Sequence, residues 1–298
     1  MVTNTPFFSI VIPTYNRGNL ISRCIDSIIA QTYTNWEAII VDNYSEDNTE
    51  NIVLSYNDDR IRFIKNHNYG VIAVSRNKAL EMAKGDWICF LDSDDTWLPN
   101  KLETILPYVE KYDLVYHGYI LNVDKSYPRR MRHSYFYKVR ENTLEYVIQR
   151  GDPFSPSCTS ISRKSLGHIR FDESRDLFAV EDYDFFLQIL EKGVRIKYLK
   201  KLLSIYELGG CSQDDKSIDR DCNLYMKWKP KLSSEVFKQV LNVLEYKKAG
   251  MSRKIRDYKT AQNLYFKILK TSSIPSIKFK ALKGYCISKL HCLLDKPI

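Results

Sequence analysis

Apolar and polar positions alternate in two rhythms at the start of the chain. Phe7-Phe8-Ser9-Ile10-Val11-Ile12 is a β-rich run closed by Pro13, and Pro13-Thr14-Tyr15-Asn16-Arg17 supplies turn chemistry at its carboxyl end. From Leu20 the apolar residues become Leu20, Ile21, Cys24, Ile25, Ile28 and Ile29, doublets four apart that predict an amphipathic helix. Residues 36–41 predict the next strand, which runs into Asp42. Strand, helix and strand in succession predict parallel pairing with a right-handed crossover.

A polar loop over 43–49 leads into a short helix, a strand over 60–64 and the turn Asn66-His67-Asn68-Tyr69-Gly70. Residues 71–84 read as a helix stopped by Gly85. Trp87-Ile88-Cys89-Phe90-Leu91 is apolar throughout, as in a strand buried on both faces. A helix bearing Leu102, Ile105, Leu106 and Val109 follows, kinked or ended by Pro107. Less regular strands are predicted over 114–120 and 157–162, with a Tyr/Arg-rich stretch over 127–140 and a short helix over 144–149 between them. Glu181-Asp182 opens a helix that Gly193 closes, and strands over 194–199 and 202–206 come next. From Asp219 the pattern is amphipathic helices joined at Gly250 and at Ser272-Ser273-Ile274-Pro275. The expected class is α/β, a mostly parallel sheet with a C-terminal helical extension.

At 298 residues, 44% of them hydrophobic, the chain can hold one large α/β domain with an appendage or two modest domains, and either can bury a proper core. Its seven cysteines are odd in number and form no C-x-x-C pair, which argues against a disulfide framework or zinc site and for a reducing, cytosolic setting. No leader pattern and no run of about 18 apolar residues occurs, so neither a signal peptide nor a membrane span is expected. The net charge of +9 is uneven: residues 216–298 hold 19 Lys and Arg against 6 Asp and Glu, leaving 1–215 at −4. A basic tail points to an anionic partner, membrane or nucleic acid, or to a solvated helical face.

Candidate chemistry gathers at Asp92-Ser93-Asp94-Asp95, at the carboxyl end of a predicted buried strand, where open α/β sheets bind ligands. Two carboxylates one residue apart can share Mg²⁺ or Mn²⁺ and leave coordination positions for phosphate oxygens. Before Trp97-Leu98-Pro99-Asn100 the same acids are also good turn and cap chemistry. Glu181-Asp182 has a structural alternative too, because the helix dipole favours acids in a first turn.

Order and spacing join these signals. Strands ending in Pro13-Thr14-Tyr15-Asn16 and Asp42-Asn43, then Asn68-Tyr69-Gly70, Ser75-Arg76-Asn77, Ala83-Lys84-Gly85-Asp86, Phe90-Leu91-Asp92-Ser93-Asp94-Asp95 and Glu181-Asp182-Tyr183-Asp184-Phe185, resemble the family 2 glycosyltransferases over residues 7–212. The resemblance implies a GT-A fold, a nucleotide-sugar donor held with Mg²⁺ or Mn²⁺, and inversion at the anomeric carbon. It implies donor contacts from Pro13, Thr14, Tyr15, Asp42, Asn43, Asn68, Arg76, Asp92 and Ser93. Asp94, with Asp92, would hold the metal, and Asp182 would be the base, with Glu181 the second choice. Residues 1–98 would then bind the nucleotide-sugar, residues 99–215 would carry the acceptor side and base, and 216–298 would form a basic helical region.

Two departures from the family pattern bear on the donor. Asn43 stands where many members have a second acid; its amide can accept from N3–H and donate to a neighbouring carbonyl, which suits a UDP-sugar first and a dTDP-sugar next. Members often carry a His near 206–212, and none is present here. The resemblance further implies a hexose or related sugar passed to a hydroxyl of a lipid-linked glycan, in bacterial polysaccharide or lipopolysaccharide synthesis at the inner face of the cell membrane. No nucleic acid is expected as partner. The alternatives are a sugar nucleotidyltransferase, disfavoured by the single Gly in residues 13–19, and an inactive nucleic-acid- or surface-binding protein with the same core.

In the tail, Val236, Phe237, Val240, Leu241 and Leu244 form an apolar stripe beside Lys238, Lys247 and Lys248. A second helix near 265–269 carries Lys259, Lys267 and Lys270. Such helices suit an anionic membrane surface, or packing on the catalytic domain or a second subunit.

Overall fold

The computed structural model describes residues 5–122, 131–140, 144–207, 217–272 and 275–294. Its elements run β1 (Phe8–Thr14), α1 (Ile21–Ile29), β2 (Trp36–Asp42), α2 (Thr49–Ser55), β3 (Ile61–Lys65), α3 (Ile72–Met82), β4 (Trp87–Phe90), β5 (Thr96–Trp97), α4 (Lys101–Ile105), β6 (Leu114–Asn122), β7 (Met131–Ser134), α5 (Leu144–Arg150), β8 (Thr159–Ser162), α6 (Arg163–Leu166), α7 (Glu181–Glu191) and β9 (Ile196–Glu207). Helices α8 (Ser217–Trp228), α9 (Ser234–Lys254), α10 (Tyr258–Thr271) and α11 (Pro275–Leu294) follow. The chain divides into two compact units, Met1–Cys211 and Ser212–Ile298.

The first unit is built on one sheet in the order β3-β2-β1-β4-β8-β6-β9-β5, with β7 added to β6. Strands β3, β2, β1 and β4 are parallel. Beyond them β8 runs antiparallel to β4, and the sheet becomes mixed. One face packs Phe8, Ile10 and Ile12, with Trp36, Ala38 and Ile40, onto Ile21, Cys24, Ile25 and Ile28 of α1 and onto Leu102 and Ile105. On the other side, Phe171 and Phe185 stack with centroids 3.9 Å apart, and both meet Phe90 edge-on at 5.5 Å. Burial on both faces is why these strands read as unbroken apolar runs.

Several boundaries differ from the sequence expectation. β1 continues through Pro13 to Thr14. β4 pairs only as far as Val11, so Pro13 has a neighbour on one side only and its missing N–H is tolerated. The two strands expected over 194–206 are one strand, β9, whose pairing with β6 slips around Gly118; Lys200-Lys201, read as a break, falls in that irregularity. Gly250 is not a joint but lies inside α9, where one Gly costs only about 1 kcal/mol and the helix runs on. Gly85 is not a helix stop either, since α3 ends at Met82. Gly85 instead lets the backbone of β1 approach: its N–H donates to Ser9 Oγ at 2.7 Å, and a Cβ there would lie 2.4 Å from Ser9 N. Ser9 donates to Glu37 Oε1 at 2.6 Å, and that oxygen also accepts the Lys84 N–H at 2.7 Å, so this buried polar cluster is hydrogen-bonded.

In the second unit, Ala249, Ala261, Tyr265, Ile268 and Ala281 form a core between α9, α10 and α11. Val236, Val240 and Leu244 are buried as well. Much of the apolar stripes of α9 and α10 therefore serves internal packing, while Leu241 and Phe266 stay exposed. Phe279, Leu282 and Leu290 of α11 are 74%, 48% and 57% exposed. Among the described residues no helix is long and apolar enough to cross a membrane.

Gly85→Ala is expected to lower stability by about 1–3 kcal/mol, as overpacking does, because the clash is with backbone that cannot rotate away. Urea unfolding of the two proteins, compared at equal slope, measures it.

Candidate active site

The carboxyl ends of the parallel strands lie side by side and carry most of the residues singled out above. At the end of β2, Asp42 is fully buried and its carboxylate accepts the Ser45 N–H at 2.8 Å and the Ser45 hydroxyl. The Asn43 N–H donates to Thr14 O at 3.0 Å, and Asn43 Oδ1 accepts the Asn68 N–H at 2.8 Å. Asn68 in turn donates from Nδ2 to Ser75 Oγ at 2.9 Å and accepts the Gly70 N–H at 2.9 Å. These side chains thus lace together the ends of β1, β2 and the β3–α3 loop. The hydrogen-bond demand falls on Asn43 Oδ1, which leaves its Nδ2 donor uncommitted to that network. Pro13 and Thr14 end the buried strand β1, Thr14 Oγ1 is buried without a partner, and Tyr15 beside it is exposed.

Arg76, on α3, is the electrostatic centre. Its Nη1 donates to Glu181 Oε1 at 2.7 Å and its Nη2 to Asp92 Oδ1 at 2.9 Å, while the guanidinium carbon lies 5.3 Å from the Phe171 ring centroid. Burial opposes its charge, but Asp92, Glu181 and Asp182 more than offset this and raise its pKa. One side chain thereby joins the acid turn after β4 to the start of α7. Asp92 and Asp94 keep 24% and 25% of their side-chain surface exposed. Burial and then the charge of Asp92 push the Asp94 carboxyl up, against the pull of Arg17, whose Nη2 is 3.9 Å away. Ser93 is buried between them. Asp95 points inward: it accepts from Ser157 Oγ at 2.6 Å and from the Glu207 N–H at 3.2 Å.

The two acids that open α7 differ. Glu181 is buried and tied to Arg76. Asp182 is partly exposed, and its Oδ1 takes the N–H of Tyr183 at 2.8 Å. Burial first and Glu181 second push its carboxyl up to about 7, with Arg76 pulling the other way. Asp152 is pushed well up by burial and by Asp182. A carboxyl that titrates near neutrality beside a fixed cation suits general-base chemistry.

Sequence reading missed Arg17, Asp152, Ser157 and an aromatic rim. The Tyr44 and His67 rings stack at 3.8 Å, and Tyr69 lies 5.9 Å beyond His67. Both tyrosines hold positive φ, 55° and 52°, with exposed rings. Arg17 could have been read by extending the Pro13–Asn16 motif one residue; Asp152, Ser157 and the rim carry no local pattern. The segment 208–212, where family members often place a His, lies outside the described residues.

Among the described residues no group of three or more His, Cys, Asp or Glu is arranged as a ready-made metal cage. Two partly open carboxylates that repel each other nevertheless have the chemistry that would suit a hard cation. Acids and a fixed guanidinium thus gather at the carboxyl ends of the parallel strands, where open α/β sheets bind ligands, an arrangement of the GT-A class.

Comparison with known proteins agrees with that class. The fold matches S. aureus TarS 1–349 in complex with UDP-GlcNAc at a TM-score of 0.66 and 18% identity, over 97% of this chain and 92% of that one. It also matches a mannosyltransferase from Pyrobaculum calidifontis in complex with GDP-Man and Mn²⁺ (TM-score 0.58, 16% identity, 97% and 85% covered). The "Glycosyl transferase family 2" model matches residues 9–170, and the chain belongs to that family. It is 30% identical over 208 residues to the putative teichuronic acid biosynthesis glycosyltransferase TuaG of Bacillus subtilis, covering 68% of this chain and 79% of TuaG. It is 47% identical over 95 residues to the Escherichia coli UDP-Glc:alpha-D-GlcNAc-diphosphoundecaprenol beta-1,3-glucosyltransferase WfgD, a match covering 32% of this chain and only 38% of WfgD.

The Asp182 carboxyl is expected to titrate near pH 7, and Glu181→Gln to lower that midpoint by removing a neighbouring negative charge. Carboxyl-carbon NMR shifts against pH, assigned with Asp182→Asn, measure both.

Proposed function

We propose that the protein is an inverting, metal-dependent glycosyltransferase that moves a sugar from a UDP-sugar to a hydroxyl of a lipid-linked glycan in bacterial surface polysaccharide synthesis. The observation that carries this reading is the Arg76 bridge, which brings the Asp92–Asp95 turn and the Glu181-Asp182 pair into one site with divided chemistry. UDP and UDP-GlcNAc in the TarS complexes and the undecaprenol-linked acceptor named for WfgD support the donor and acceptor classes.

Asp92 and Asp94 would hold Mg²⁺ or Mn²⁺, which when bound neutralises charge developing on the leaving diphosphate. Thr14, Tyr15, Asn43 and the loop around Asn68 would cradle base and ribose, Asn43 Nδ2 donating to a base carbonyl. Arg76 keeps Glu181 paired, so Glu181 is a poor proton acceptor. Asp182, free of such a pair, takes the acceptor hydroxyl's proton as that oxygen attacks the anomeric carbon opposite the leaving group, which inverts it.

Asp94→Asn is expected to reduce turnover at least 100-fold, with the fold intact by circular dichroism, and full wild-type activity in excess chelator sinks the metal assignment. Asp182→Asn is expected to cut kcat by 10²–10⁴-fold while the dissociation constant for UDP stays within a few-fold, because a base acts in the transition state.

For the acceptor side, α11 is the face that meets the bilayer. It carries Lys278, Lys280, Lys283 and Lys289 and no acid around the exposed Phe279, Leu282 and Leu290. Each basic group near an anionic leaflet is worth about 1 kcal/mol, enough in sum for reversible docking. The chain is expected to float with vesicles containing anionic lipid at low salt, and Phe279→Asp combined with Leu282→Asp to abolish it. Flotation unchanged in the double variant removes α11 from that role; dimers without flotation make the stripe a contact between copies.

A further inference from the structure

Ser157 lies in the one-turn helix Pro156–Cys158 that leads into β8, and it is fully buried. Its hydroxyl works in both directions at once. It accepts the Asp92 N–H at 3.1 Å and donates to Asp95 Oδ2 at 2.6 Å. These are the two ends of the acid turn, which the Asp95 N–H closes onto Asp92 O at 2.9 Å. The carbonyl of the same residue accepts Trp97 Nε1 at 3.0 Å, Lys101 Nζ at 3.1 Å and Ser204 Oγ at 2.8 Å. β5, α4 and β9 are thus anchored on the residue that holds the turn. Lys101 is itself fully buried, 3.4 Å from the Trp97 ring centroid, so its ammonium has no solvent to fall back on.

We infer that Ser157 is a positioning residue for the acid turn, setting the placement of the Asp92 and Asp94 carboxylates toward a divalent cation; this rests on the metal reading of that turn. The Ser157 hydroxyl touches neither carboxylate of the pair. It fixes the backbone from which Asp92 departs and the buried Asp95 that ends the turn, so Ser93 and Asp94 hang between two pinned points. Without it, the Asp92 N–H and one Asp95 oxygen lose their partner inside the protein, and the turn gains freedom where the cation needs two oxygens at fixed separation. Loss of such an outer hydrogen bond characteristically lowers metal affinity about 10–100-fold.

The test is calorimetric binding of UDP to the full chain, with and without Mn²⁺, for wild type, Ser157→Ala and Ser157→Cys. The Mn²⁺-dependent gain in UDP affinity is expected to fall about 10-fold or more in Ser157→Ala and by less in Ser157→Cys, which keeps a weak donor of similar size. UDP affinity without Mn²⁺ is expected to stay within about 3-fold, since base and ribose contacts are untouched. A Ser157→Ala protein with a lower Tm but an undiminished Mn²⁺ gain overturns the positioning role and leaves Ser157 structural. If Ser157→Ala does not fold, Ser157→Cys decides alone: a gain equal to wild type overturns the inference. A wild type whose UDP affinity ignores Mn²⁺ overturns instead the metal reading on which the inference stands.

Discussion

The site depends on one buried cation. Arg76 sits between Asp92 and Glu181, on elements far apart in the chain, with hydrogen bonds of 2.9 and 2.7 Å. In a medium of low dielectric an unpaired guanidinium would be costly, and so would the buried Glu181 carboxylate alone, so removing one partner would cost about 3–5 kcal/mol. A planar fork can hold two carboxylates at once and stay charged, which a lysine in the same place could not do with the same geometry.

Pairing also sorts the acids by what remains available. Glu181 and Asp95 are taken up by partners inside the protein. Asp94 and Asp182 keep surface and carry raised pKa values, because burial and like charges disfavour ionising them without a partner from outside. Asp95 and Asp152 are pushed up as well, and what sets Asp94 and Asp182 apart from Asp95 is the surface they keep, where cation and acceptor chemistry is proposed.

The strong local signals in the chain were structural. Two-sided burial produced unbroken apolar strands, and the 3.6-residue period produced α1 in the register read from Ile21, Cys24, Ile25 and Ile28. The motif residues Pro13–Tyr15, Asp42-Asn43, Asp92–Asp95 and Glu181-Asp182 lie at strand ends and a helix start, and Arg76 lies within α3, as their spacing implied. Errors came where a long-range neighbour overrode a local rule. Pro13 is tolerated because β4 stops short of it, Gly85 answers to the backbone of β1 and not to α3, and Lys200-Lys201 are absorbed by a slip in pairing rather than a break.

Sequence by itself made most of the elements legible, though not β5, β7 or α6, and showed which acids stand at their ends, because periodicity, turn chemistry and motif spacing act within a few residues. Tertiary structure alone decided which acids are tied inside the protein, because that depends on which distant side chain reaches each one: Ser157 reaches Asp95, Arg76 reaches Glu181, and neither reaches Asp182 by a hydrogen bond. It also decided which stripe residues are covered, Val236, Val240 and Leu244 of α9, Tyr265 and Ile268 of α10 and Ala281 of α11 facing inward while Leu241, Phe266 and Phe279 stay exposed, since amphipathic helices bury whichever faces their neighbours cover.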